Sequence, residues 1–179
     1  MNLIWQYLNI FNKRVNMKGK LILFICSSIF FSSCSSLLNS EKETARTKKT
    51  KLYYGQGTEM LVKKDYSKAL EYLLEAQKLD PQDSEIQNNL GMAYFFKKRI
   101  EKAKTHLVRA IELDPKNSNA RNNFASILFR EKNFKEARTQ YLKVKEDLIY
   151  PHQYRTFYNL ALIEEQLDRK STRLNSSHL

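Results

Sequence analysis

The sequence repeats itself at a step of 34 residues, which points to one helical unit stacked several times. Ala69, Ala103 and Ala137 lie 34 apart, as do Tyr66, Ile100 and Phe134. Gly57, Gly91 and Ala125 form a third series, and Leu73, Leu107 and Tyr141 a fourth. Ala76, Ala110 and Val144 keep the same step, and Leu79-Asp80-Pro81 returns as Leu113-Asp114-Pro115. Glycine (4) and proline (3) are too scarce for an all-β or loop-rich chain, so the units are expected to be helical.

The repeats run 50–83, 84–117 and 118–151, and each predicts two antiparallel helices, A and B. Turns within the pairs fall near Lys64-Asp65, Lys98-Arg99 and Lys132-Asn133. Pro81 and Pro115 end helix B, because proline lacks an N–H and disfavours the α conformation in the residue before it. The small residues at 57, 91 and 125, and those at 69, 103 and 137, let helices A and B meet closely. Leu90, Tyr94, Leu107 and Ile111 are expected to fill the gaps in the second repeat, and Phe124, Leu128 and Tyr141 those in the third. A two-residue insertion then puts Pro151 ahead of a further helix A, Tyr154 to Leu167, in a partial unit 152–167.

These positions resemble the tetratricopeptide-repeat (TPR) family over about 110 residues. The resemblance implies an all-α solenoid over 51–167, three repeats plus a terminal helix, each repeat covering its neighbour's apolar face. It also implies a concave groove lined by the helices A. The family's usual glycine in the A–B turn is replaced by Lys64, Lys98 and Lys132.

The N-terminus reads as an address. Residues 21–31, LILFICSSIFF, form an uncharged run of 11, too short for a membrane span of about 20 residues. The run follows the basic Met17-Lys18-Gly19-Lys20 and precedes Phe31-Ser32-Ser33-Cys34. Together these resemble a bacterial lipoprotein signal peptide (1–33) with its lipobox, Phe31 standing where leucine is usual. The resemblance implies cleavage before Cys34 and acylation of its thiol. Each buried CH₂ then contributes roughly 0.8 kcal/mol to a lasting anchor. Ser35 rather than aspartate after the cysteine implies the outer membrane, facing the periplasm. Residues 1–16 precede a well-proportioned signal that starts at Met17, so the true start is expected there. Residues 34–50 (the acylated cysteine and a polar stretch without apolar period) read as a flexible tether. At the other end, Asp168 to His178 reads DRKSTRLNSSH, similar codon by codon to a translated sequencing adapter. Residues 168–179 are therefore expected to be foreign to the gene. The last helix is then expected to lack its helix B and to leave part of its apolar face uncovered.

Between Cys34 and Leu167 the balance is 24 basic against 18 acidic residues, interspersed along the helices. That pattern reads as solvated faces, and nucleic acid is not an expected partner. The two cysteines, Cys26 and Cys34, both precede the helical body, which excludes a disulfide framework and a cysteine-ligated zinc site. No Gly-rich phosphate loop, His-Glu-x-x-His pair or serine elbow occurs, so no catalytic residue, cofactor or metal is assigned. His106 is expected at a surface or edge, and the neighbouring Glu164 and Glu165 point apart on their helix.

Binding is the better-supported reading. On the helices A, residues off the buried stripe fall at helical spacing. They are Tyr54 with Thr58 and Leu61; Asn88, Met92, Phe95 and Phe96; Asn122, Ser126, Phe129 and Arg130; and Arg155, Tyr158 and Leu162. Amides suit a peptide backbone and aromatics suit apolar anchors, so an extended or helical peptide is the expected guest. Only Arg130 and Arg155 are candidates for clamping a carboxylate tail. Asp147-Leu148-Ile149-Tyr150-Pro151 ahead of Phe157-Tyr158-Asn159-Leu160-Ala161 resembles the type IV pilus biogenesis lipoproteins, the pilotins. That resemblance implies a secretin subunit as partner. A general cell-envelope adaptor, for outer-membrane assembly or peptidoglycan enzymes, is the alternative. A further alternative is a non-catalytic fragment of a larger enzyme.

Overall fold

The computed structural model describes residues 41–176, with side chains described to 170. The leader, Cys34 and the first part of the expected tether lie outside the described residues. The chain divides into two units at Thr47 and Lys48, and the second holds the repeats. Seven helices and no strand occur among the described residues: α1 (41–62), α2 (Tyr66–Leu79), α3 (Ser84–Phe96), α4 (Ile100–Leu113), α5 (Ser118–Arg130), α6 (Phe134–Lys145) and α7 (Gln153–Ser176). Odd-numbered helices are the helices A and even-numbered ones the helices B; α2 to α7 pack on their sequence neighbours, and α1 meets α2 where Gly57 faces Leu73. No described helix is long and apolar enough to cross a membrane.

The core is the expected one. Ala69, Leu73, Ala76, Leu90, Ala103, Leu107, Ala110, Ala125, Ala137, Tyr141 and Val144 are fully buried. The close approach of A and B is measurable at the glycines. A Cβ on Gly91 would stand 2.6 Å from Leu107 Cγ, and one on Gly57 would stand 2.6 Å from Leu73 Cγ. Both lie well inside van der Waals contact, so glycine is a steric requirement there. Asp83 caps α3, its Oδ1 accepting from Glu85 N (2.8 Å) and Ile86 N (3.0 Å), and Asn117 caps α5 by accepting from Ala120 N (2.8 Å).

Two boundaries differ from expectation. Residues 41–50, expected as flexible tether, are helical and continue backwards from the first repeat. Their composition, EKETARTKKT, is mostly helix-tolerant, and extending an existing helix adds one hydrogen bond per residue fixed. A Glu43–Arg46 pair (3.5 Å) and a bond from Thr47 Oγ1 to Glu43 O (2.9 Å) accompany it. At the other end α7 continues past Leu167 to Ser176, with Arg169 reaching Glu165 at 2.6 Å.

The turn lysines turn out to be conformationally special. Lys64, Lys98 and Lys132 have φ of 61°, 61° and 62°, the left-handed region that favours glycine. Each closes its helix A in the same way. Lys98 N bonds Phe95 O at 2.9 Å and Arg99 N bonds Tyr94 O at 2.9 Å, a Schellman arrangement repeated at the other two turns. The side chain is therefore a cost at each turn. Lys98→Gly is expected to raise stability by about 1 kcal/mol, seen as a higher urea midpoint. An unchanged or lower midpoint would show that the lysine has a compensating contact.

Candidate peptide-binding face

Because α1, α3, α5 and α7 run parallel, side chains at matching positions line up across the stack. Amides join the neighbouring helices A on this face. Asn89 Nδ2 donates to Thr58 Oγ1 at 3.1 Å, and Asn123 Nδ2 donates to Asn88 Oδ1 at 2.9 Å. In the last repeat Asn159 Nδ2 donates to Tyr141 OH at 2.8 Å, and that hydroxyl also contacts Ser126 Oγ at 2.8 Å. Asn89, Asn123 and Asn159 were not assigned from the sequence. The doublets Asn88-Asn89 and Asn122-Asn123, 34 residues apart, are the signal that could have found the first two, whereas Asn159 stands in no doublet.

The expected groove residues separate into three groups. Asn88 is buried (4% exposed), with its carbonyl used by Asn123 and its amide by Asn89, so it holds repeats together. Tyr54, Met92, Phe95, Asn122, Ser126 and Phe129 are half-buried. Of these, Ser126 donates to Asn122 O (2.8 Å) and is tied to Tyr141, and Phe129 packs edge-on against Phe134 (5.5 Å). Phe96, Arg130, Arg155 and Tyr158 are exposed.

Three of them converge. Phe95 and Phe96 meet edge to face at 5.5 Å, and Arg130 from the next repeat lies over Phe95 at 5.1 Å. Phe96 also stacks on Tyr66 at 4.7 Å. Met92 lies one turn back on the same helix. Asn122 leaves its Oδ1 without a hydrogen-bond partner. Arg155 and Tyr158 are separate from this cluster, and Arg155 packs on Tyr154 (5.6 Å).

One acid, Glu85 at the start of α3, acts electrostatically on Tyr54 of this face. Burial raises the Glu85 carboxyl above the usual range, Asn117 opposes this by donating to it at 2.9 Å, and Asp83 adds to the rise. Burial, then Glu85, raises the Tyr54 hydroxyl. His106, expected at a surface or edge, is half-buried on α4. It stacks on Tyr94 (5.2 Å), its Nδ1 lies 2.8 Å from Gln87 Oε1, and burial, then Lys102, lowers its pKa. It borders an open cleft of about 880 Å³ that Gln77, Lys104 and Arg109 also line. No expected groove residue lines that cleft.

A stack of parallel helices A joined through amides, with aromatic and cationic side chains exposed on it, defines a helix-pair α-solenoid. The chain belongs to the tetratricopeptide-repeat family. Tetratricopeptide-repeat models match residues 50–83, 84–117 and 106–139. Comparison with curated proteins finds no match. Among solved structures, the chain is similar to PilF of Pseudomonas aeruginosa, with TM-score 0.66 and 25% identity over 74% of this chain and 64% of that one. It is also similar to the first TPR of Spaghetti (RPAP3) bound to the HSP90 peptide SRMEEVD, with TM-score 0.63 and 21% identity over 68% of this chain and 97% of that one. The TPR2B domain of yeast Sti1 in an Hsp70 complex gives TM-score 0.62 and 20% identity over 66% and 98%. The chain thus spans 64% of the PilF structure's length.

Proposed function

We propose that this protein is a membrane-tethered, non-catalytic TPR scaffold that holds a partner polypeptide along its helix-A face and assists assembly of a type IV pilus secretin at the outer membrane. The convergence of Phe95, Phe96 and Arg130 from two neighbouring repeats carries the reading. Aromatic and arginine side chains are the residue types that dominate polypeptide interfaces, and Met92 lies one turn back on the helix that carries Phe95 and Phe96. The Tyr150-Pro151 linker ahead of Phe157-Tyr158-Asn159-Leu160-Ala161, with its resemblance to the pilotins, supports a secretin subunit. An acidic tail such as the SRMEEVD peptide held by Spaghetti fits less well. Of the expected groove residues only Arg130 and Arg155 are cationic, both lie on aromatic rings, and Glu85 intrudes on the face.

The test is photocrosslinking from the exposed positions Phe96 and Tyr158, with Val108 on α4 as control. Capture of a secretin subunit from Phe96 or Tyr158 is the expected result. Capture of a peptidase or outer-membrane assembly subunit would favour the general adaptor. Adducts from Val108 alone would move binding to the opposite face and overturn the groove. In parallel, Cys34→Ser is expected to shift the protein from the membrane fraction to the soluble one. Unchanged sedimentation with membranes would remove the lipid tether from this account.

A further inference from the structure

The loop between α6 and α7 departs from the repeat. The other joins between repeats span four residues, 80–83 and 114–117, whereas this one spans seven, 146–152. At its tip Leu148 and Ile149 are each 90% exposed, the most exposed large hydrophobic side chains among the described residues. The backbone beneath them is clamped. Asp147 accepts from Ser118 Oγ at 2.6 Å and from Ile149 N at 3.3 Å. Gln153 Nε2 donates to Val144 O and Lys145 O at 3.3 Å, and to Asp147 O. Tyr150 is buried at 7% exposure directly behind the tip. The exposure of the two aliphatic side chains is therefore held in place by the loop's own bonds.

Two further observations describe the surroundings. Ile149 borders a cleft that is also lined by Lys116, Arg121, Lys143, Glu146 and Asp147. Asp147 is taken by Ser118, and Arg121 spends its N–H groups on Pro115 O and Gln140 Oε1. Among the described residues Lys116, Lys143 and Glu146 all lack an ion pair, and the three cations and two acids that line the cleft leave one net positive charge. The second concerns direction. Helices A start on the edge where this loop lies, so the polypeptide enters the repeat unit at Lys48 on the same edge. Tyr154, 64% exposed at the start of α7, stands beside the loop.

We propose that the Leu148–Ile149 tip and the Lys116–Lys143 cleft form a second contact with an anionic bilayer. The two aliphatic side chains enter the interface, the lysines meet lipid phosphates, and Tyr154 sits at headgroup level. A convex tip of two side chains buries far less than the roughly 1,000 Å² of a specific protein interface, which argues against a protein occupant. A bilayer accepts such a tip, and a lipid chain joined to a second membrane contact anchors more lastingly than the chain alone. The contact rests on the membrane-tethered reading for its effective concentration, because a tethered tip needs little affinity of its own. Its consequence is orientation: the solenoid is fixed at two points on the membrane and presents its groove in one direction.

The test uses the processed, acylated chain with Leu148→Trp, and Trp5→Phe to silence any uncleaved leader, so that one indole reports the tip, in vesicles of phosphatidylethanolamine and phosphatidylglycerol. Flotation reads the tether and indole emission reads the tip. The expected result is a shift to shorter wavelength and quenching by acyl-brominated lipid, with quenching reduced several-fold by Lys116→Glu with Lys143→Glu. An indole that floats with the vesicles yet stays equally open to aqueous acrylamide overturns the contact and leaves the tether standing. A protein that does not float removes the tether. The same measurement on the Cys34→Ser chain, held by an N-terminal hexahistidine on nickel-chelating lipid, then decides the tip alone. Indole burial that appears on raising protein concentration without lipid means self-association and also overturns it.

Discussion

Leu107→Ala is expected to destabilise the repeat domain by about 2–5 kcal/mol, and Gly91→Ala by about 1–3 kcal/mol, yet the double variant by less than their sum. Leu107 is fully buried and packs directly over Gly91. Truncating it removes the contacts of three carbons, Cγ and the two Cδ, and leaves a cavity between α3 and α4. Adding a methyl at Gly91 does the opposite, since its Cβ would stand 2.6 Å from Leu107 Cγ, 2.9 Å from Cδ2 and 3.2 Å from Ala103 O. In the double variant the added methyl enters space the leucine has left, so a favourable coupling of about 0.5–3 kcal/mol is expected from urea denaturation of the four proteins. Gly55→Ala is the control. Nothing lies within 4 Å of a Cβ there, so the change should be neutral or stabilising by up to about 1 kcal/mol. Strict additivity at 91 and 107 would mean that the two helices relax apart, and the steric account of the repeat would fail.

That pair shows why the fold was legible and where legibility stopped. A 34-residue step identifies which residues face the neighbouring helix, so the buried series of alanines and leucines is readable from spacing alone. The helix over 41–50 was not, because its residues carry no apolar period and are exposed to residue 49. Propensity and continuity with α1 decide it. The turn lysines were visible as a departure from the family's glycine, but their positive φ is a property of backbone closure that side-chain pattern does not report. The candidate face was only partly readable for a geometric reason. Neighbouring residues on a helix point about 100° apart, so Asn88 and Asn89 differ in role although both recur at the same step. The first was assigned to an open groove and is buried, and the second, unassigned, bonds to the previous repeat. Ser126 was assigned by position, and its hydroxyl is committed to Tyr141, a contact that spans helices and leaves no trace in local spacing.

Tyr141 occupies the place held by Leu73 and Leu107 in the earlier repeats, and restoring the repeat's leucine there is expected to weaken the domain. Tyr141→Leu should cost about 2–4 kcal/mol, and Tyr141→Phe about 1–3 kcal/mol. The ring is fully buried, and burial raises its pKa, so the neutral hydroxyl is the form that persists. Proton accounting makes the hydroxyl a relay: Ser126 donates to Asn122 O, Tyr141 donates to Ser126, and Asn159 donates to Tyr141. Removing it leaves the Asn159 amide and the Ser126 lone pair half-buried and unpaired, a larger loss than one ordinary hydrogen bond. The effect should be local in space. Asn159 belongs to α7, so amide hydrogen exchange in α7 is expected to accelerate in Tyr141→Phe, whereas α2 to α4 keep their protection. Because α7 also carries Arg155 and Tyr158, a loosened α7 is expected to weaken crosslinking from position 158 more than from position 96. Equal acceleration in all helices would mean that Tyr141 only fills volume, and that the last helix is held to the stack by its apolar side chains, Leu160 and Ile163, without the relay.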